Sequence, residues 1–226
     1  MAGQGIYNVD IVMCIDATGS MKHILDEVKS NALSLYPKFA EAMETAEKEV
    51  AELRVKVIAF RDYGCDTQPM VQSEFFTLPE QADELNAFVN SLEAMGGGDA
   101  PENALEAISY ALKSDWTTGG VRRRHVIAVF TDAPTLPLGA RAGSAQYPVD
   151  LPKDLAELSA IWEGTDQTTL GNYQPKAGRL IAFVPEDESW KMLETWNRVV
   201  PAYTKAGIGC SDYDMEMILR TITGSV

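Results

Sequence analysis

An apolar run rich in β-branched residues, Val9-Asp10-Ile11-Val12-Met13-Cys14-Ile15, stops at Asp16-Ala17-Thr18-Gly19-Ser20, and the pattern then changes period. Met21, Ile24, Leu25, Val28, Ala32 and Leu35 recur at the spacing of one helical face. A buried strand, a tight turn and an amphipathic helix in that order point to an α/β sheet more strongly than any other stretch does. Open sheets of that kind keep their sites at the carboxyl ends of the strands, where this turn falls. Asp16, Thr18 and Ser20 alternate, so an extended or loosely turned backbone brings one carboxylate and two hydroxyls toward one point. Such oxygen donors suit a hard divalent cation, Mg²⁺ before Mn²⁺ or Ca²⁺. The same residues also read as a strand end followed by a helix cap at Ser20.

The remaining pattern extends the α/β reading. The first helix is expected to continue through Phe39 and Met43 toward Val50, with a break just before Pro37, which removes a backbone donor. Residues 53–60 form the second expected strand, followed by a loop at 61–66. Residues 71–78 form an edge strand, with Gln72, Ser73 and Glu74 marking shallow burial. A helix starts at Pro79 and turns Leu85, Phe88, Val89 and Leu92 inward. Gly96-Gly97-Gly98-Asp99-Ala100-Pro101-Glu102-Asn103 then leads into a helix carrying Leu105, Ile108, Ala111 and Leu112. A strand at 126–130 ends at Thr131-Asp132-Ala133. After a long proline-bearing segment with a helix near 155–162 come a strand at 179–184, a helix at 190–200, and a last helix at 215–222 opened by Asp212. The expectation is one domain over 1–226, with its core at about 6–223 and an insertion at about 133–178. Its sheet is mainly parallel and Rossmann-like, with one antiparallel edge strand and helices on both faces.

Charge narrows the partners. With 33 acidic against 19 basic side chains and a net charge of −14, wholesale binding to nucleic acid or to an anionic membrane is disfavoured. Arg122-Arg123-Arg124 is the one basic cluster and reads first as the solvated start of a strand. No apolar run reaches membrane-spanning length, and the N-terminus shows no signal-peptide pattern. Cys14, Cys65 and Cys210 are odd in number and lack metal-ligand spacing. Free thiols in a reducing cytoplasm are the expectation.

Taken together, the separated segments resemble the metal-ion-dependent adhesion site of von Willebrand factor A domains. Asp16-x-Thr18-x-Ser20 is similar to their Asp-x-Ser-x-Ser, with threonine retaining the middle hydroxyl. Gly96-Gly97-Gly98-Asp99 is similar to their second loop, where a threonine often follows the glycines. Thr131-Asp132-Ala133 resembles the Thr-Asp-Gly that supplies their last carboxylate. The resemblance covers roughly residues 6–223 and implies a metal site of Asp16, Thr18, Ser20, Asp99 and Asp132 holding Mg²⁺ (or Mn²⁺ or Ca²⁺). It implies a non-enzymatic module that recognises another protein. Asp-Ala-Thr-Gly-Ser-Met with Phe-Arg-Asp-Tyr and Gly-Gly-Gly-Asp-x-Pro-Glu is similar to free-standing bacterial and kinase-linked A domains. That likeness implies a place in a multi-protein bacterial system associated with an AAA-type ATPase, a kinase, or stress or defence functions.

Competing readings remain at this level. Asp99 with Glu102 three residues later also forms a capping box. A Mg²⁺-dependent phosphohydrolase would use Asp16 and Asp132, although Thr18 stands where aspartate-nucleophile phosphatases carry a second carboxylate. A metal-free scaffold is the third reading. His23 and His125 lack a nucleophilic partner, and no phosphate-loop or dinucleotide fingerprint occurs. The segment 133–151 is longer than an ordinary strand-to-helix connection. Leu136, Leu138, Tyr147, Val149 and Arg141 are expected there as partner contacts, or else as a plug against the domain's own helices.

Overall fold

A computed structural model describes residues 5–97, 100–165, 171–205 and 210–226. The sheet's centre is built from β1 (Gly5–Asp16), with β2 (Lys48–Phe60) on one side and β5 (Arg122–Phe130) on the other, both parallel to it. Beyond β5 lie β6 (Gly178–Pro185) and β7 (Val199–Thr204), also parallel. The short β3 (Met70–Gln72) and β4 (Phe76–Leu78) both pair antiparallel with β2. The order is β3-β2-β1-β5-β6-β7, with β4 beside β3 on the same edge of β2.

Alternation along the strands feeds two cores. Val9, Ile11, Met13 and Ile15 of β1 face one layer, where α1 (Lys22–Asn31), α2 (Leu35–Thr45), α3 (Ala82–Ser91) and α6 (Met215–Ser225) pack. Val12 and Cys14 face the other, which holds α4 (Ala104–Leu112) and α5 (Leu155–Glu163). This period of two, buried on both faces, is what a central parallel strand requires. Trp116 stacks on His125 at 4.8 Å, and Trp162 stacks on Tyr173 at 5.7 Å, so His125 is a packing residue. Its Nε2 lies 2.9 Å from the Thr117 carbonyl and its Nδ1 accepts from the Gln174 amide.

Several boundaries differ from the sequence reading for identifiable reasons. The break before Pro37 is present as a 3-10 turn at Ala32–Ser34. The helix then ends at Thr45 rather than near Val50, because Glu47 takes a left-handed conformation (φ 56°) and the chain enters β2 at Lys48. The expected edge strand divides into β3 and β4, since at Ser73 the amide still donates to the Val57 carbonyl but the Ser73 hydroxyl, in place of its carbonyl, accepts from the Val57 amide. The expected helix at 190–200 is a 3-10 helix, Glu188–Thr195, followed by β7. Trp190, Leu193 and Trp196 are spaced by three, which suits three residues per turn; Arg198 (φ 62°) then turns the chain into β7. Asp214, rather than Asp212, caps the last helix, accepting from the Met217 amide.

The segment after β5 folds back onto the domain. Leu136 and Leu138 are buried. The Leu136 amide donates to the Glu102 carbonyl (2.8 Å), and the Trp190 indole donates to the Ala133 carbonyl (3.1 Å). Tyr147 meets the Tyr63 ring edge-on at 5.3 Å and donates to Glu106. Of the apolar contact points expected there, Val149 is fully exposed. Leu138→Ala should therefore cost about 2–3 kcal/mol of stability through the cavity it leaves, measured by urea unfolding; a change within experimental scatter would show that the leucine only lies on the surface.

Candidate metal centre

The site is assembled where β1 and β5 end side by side. Asp16 closes β1 and is fully buried. Its Oδ1 accepts from the Thr18 amide (2.9 Å) and the Thr18 hydroxyl (2.6 Å), and its Oδ2 accepts from the Thr131 hydroxyl (2.7 Å). Ser20 lies within the helical turn Gly19–Met21 that leads into α1 and donates its hydroxyl proton to Asp132 Oδ1 at 2.9 Å. Thr18 and Ser20 therefore spend their protons on carboxylates, which leaves hydroxyl lone pairs free to face a cation. Sequence and structure agree that Asp16, Thr18, Ser20 and Asp132 share one end of the sheet. Asp99 lies outside the described residues.

Glu102 is the residue that the sequence does not single out for the site. A capping box with Asp99 is one of two readings of it, but α4 starts at Ala104, Asn103 is its N-cap, and Asn103 makes no side-chain cap bond. Glu102 instead lies one step earlier, its amide bonded to the Pro134 carbonyl and its side chain buried. Among the described residues its Oε2 has no hydrogen-bond partner. The signal that identifies it is spatial. Gly97 (φ 71°) passes so close that a Cβ there would sit 2.6 Å from Thr18 Cβ and 3.5 Å from Glu102 Oε1. Glycine at this place lets Glu102 and Thr18 share one pocket.

Crowded acids raise one another's proton affinity. Burial pushes the Asp16 carboxyl up to about 6, against the hydrogen bonds from Thr18 and Thr131, and the charge of Asp132 adds to the rise. Burial and then the charges of Asp16, Asp62 and Asp66 push Glu102 up to about 8, with Arg141 opposing. At Asp62 burial works in the same upward direction, but the paired Arg141 guanidinium and the Gly64 amide outweigh it and hold that carboxyl below its usual range. Arg141 reaches Asp62 by Nε (2.7 Å) and Nη2 (2.5 Å), which pins the inserted segment beside the rim.

A divalent cation fits this donor set. It would supply the positive charge that the crowded carboxylates lack and the partner that Glu102 Oε2 lacks. Among the described residues no three His, Cys, Asp or Glu side chains form a metal-holding cluster, so hydroxyl oxygens must complete the shell. Such a mixed set suits Mg²⁺ rather than zinc.

A mainly parallel sheet with an acid-and-hydroxyl rim at its carboxyl edge defines a class of α/β binding domains. This chain belongs to the von Willebrand factor A domain family, whose model matches residues 10–137. The family is one of protein-interaction modules. A putative ariadne-like RING finger protein of Acanthamoeba polyphaga mimivirus is 28% identical over 126 residues, which span 56% of this chain and 11% of that relative. Among solved structures, the pilus adhesin SpaC of Lactobacillus rhamnosus GG in its open conformation superposes with a TM-score of 0.55 at 12% identity, covering 99% of this chain and 30% of that one. A von Willebrand factor type A protein of Catenulispora acidiphila gives 0.52 at 12% identity, covering 96% and 42%. These likenesses show the fold.

The raised carboxyls make the metal-free protein pH-sensitive in a definite direction. Below the ordinary carboxylate range both groups are protonated in the folded and unfolded chain. As pH rises, the unfolded chain releases its protons first, so stability falls through about 6 for Asp16 and about 8 for Glu102. In chelator the melting temperature should drop between pH 5 and pH 9. Asp16→Asn should flatten the part of that drop that falls near and below about pH 6. A melting temperature that instead rose over this interval would contradict the crowding described above.

Proposed function

We propose that this domain recognises another protein through a rim that binds Mg²⁺, with Thr18 and Ser20 as direct oxygen ligands, the carboxylates of Asp16, Asp132 and Glu102 beside the ion and acting in part through water, and Asp99 completing the set. The observation that carries this reading is the orientation of the hydroxyls: both protons are committed to aspartates, so the oxygens are left as acceptors. The rim is open to a macromolecule, because Gly19, Ser20, Met95 and Gly96 are exposed around it. Once the bound ion has driven off the Glu102 proton, the carboxylates at Asp16, Glu102 and Asp132 bring more negative charge than one divalent ion cancels. The loaded site therefore attracts a free carboxylate only weakly, and much of the contact falls to the exposed residues around the ion. A role in a bacterial multi-protein system, in the cytoplasm, fits the motif resemblance. Among the described residues no helix is long and apolar enough to cross a membrane.

A nucleophilic role for Asp16 is disfavoured by its surroundings. The carboxylate is fully buried and held by three hydrogen bonds from Thr18 and Thr131, whereas a phosphohydrolase nucleophile must come into contact with the substrate's phosphorus.

Calorimetry with Mg²⁺ tests the reading. Wild type should bind, Asp16→Ala and Ser20→Ala should lose binding, and Glu102→Gln should weaken it by about tenfold. Equal binding by all four proteins would overturn the assignment, and Mg²⁺-dependent turnover of a generic phosphate ester that Asp16→Ala abolishes would replace it with the enzymatic one. Removing the metal should leave the fold intact, since the two cores do not depend on it. Saturating Mg²⁺ at a hundredfold excess over the dissociation constant adds about 2.7 kcal/mol. Loss of circular dichroism in EDTA would mean that the ion is structural.

A further inference from the structure

Immediately after β2, Arg61 places a guanidinium behind the rim. It is only 5% exposed, and among the described residues no carboxylate pairs with it: its recorded bonds all go to main-chain carbonyls. Nε donates to the carbonyls of Ala17 and Met95 (3.1 Å each), Nη1 to Gln68 (2.8 Å) and Nη2 to Glu93 (2.6 Å). Its own amide donates to the Pro69 carbonyl at 2.8 Å. A buried cation without a counter-ion is costly, and core packing alone does not call for one.

What the guanidinium joins explains why it stands there. Ala17 lies between Asp16 and Thr18 in the first rim loop. Met95 precedes Gly96 and Gly97 in the second, and its amide also donates to the Ala17 carbonyl at 3.0 Å. Gly97 in turn abuts both Thr18 and Glu102. One planar fork thus holds the spacing between the loop that carries Asp16, Thr18 and Ser20 and the loop that leads to Glu102. A lysine brings its donors to a single point and cannot span the same carbonyls.

We propose that Arg61 is the positioning residue of the rim and that the spacing it fixes sets which divalent cation the rim accepts. This rests on the metal-binding reading above. Mg²⁺ demands near-ideal octahedral geometry at short distances, whereas Ca²⁺ accepts more ligands at longer, looser ones. Loosening the two loops should therefore penalise Mg²⁺ more than Ca²⁺, a signature that simple loss of stability does not produce.

Titration of wild type, Arg61→Lys and Arg61→Ala with Mg²⁺ and Ca²⁺, followed by calorimetry, tests the proposal. Arg61→Lys should lose Mg²⁺ affinity by about tenfold or more and Ca²⁺ affinity by clearly less. Millimolar methylguanidinium should restore Mg²⁺ binding to Arg61→Ala. Unchanged affinities in both variants, or equal losses for the two cations, would overturn the positioning role. Wild type binding neither cation would overturn the metal reading itself. Should Arg61→Ala fail to fold, the lysine variant and wild-type hydrogen exchange still decide. Mg²⁺ must slow exchange of the Met95 amide together with that of Thr18, and protection confined to Thr18 would count against the clamp.

Discussion

The carboxylate of Asp16 is the point on which the rim depends. It ends the central strand, lies out of reach of solvent, and ties β1 to β5 through the Thr131 hydroxyl while fixing Thr18 through two bonds. A buried acid is tolerable only when its oxygens are hydrogen-bonded, so the neighbouring hydroxyls are forced to donate. That obligation orients them. The acceptor character of the rim follows from the desolvation of two aspartates, Asp16 orienting Thr18 and Thr131 and Asp132 orienting Ser20.

Around this point the protein gathers more negative charge than it locally neutralises. Asp132 and Glu102 face Asp16, while Asp62 is relieved by Arg141 and the buried Arg61 binds main-chain carbonyls behind the rim. The two arginines act differently. Arg141 is bidentate to a carboxylate and holds the insertion to the rim; Arg61 touches only carbonyls and holds the loops to each other. Neither leaves Glu102 Oε2 satisfied. The folded chain accepts this unfavourable crowding because two well-packed cores on either side of the sheet supply ample stability.

Some of this was legible in the chain itself. The change from strand period to helix period at Asp16 placed the turn correctly, and the alternating strands and helices gave a mainly parallel sheet with its antiparallel pairing at one edge. Where the reading failed, period was ambiguous. Residues 190–200 carry inward residues three apart, which a 3-10 helix satisfies as well as an α-helix over so short a span. The apolar residues of the insertion were equally ambiguous, since Leu136 and Leu138 read the same whether they meet a partner or the domain's own core; they meet the core.

The sequence by itself determined the sheet, its two covered faces and the grouping of Asp16, Thr18 and Ser20, because those depend on local periodicity and on residues only two apart. Tertiary structure alone decided that Glu102 stands before the helix and beside Thr18 and Gly97 at the rim. It also decided that Arg141 meets Asp62 and that Arg61 joins two loops each more than thirty positions away from it. Each of these turns on which groups are brought within hydrogen-bonding distance after water is excluded. That is a property of the packed chain, and it leaves no periodic trace along the sequence.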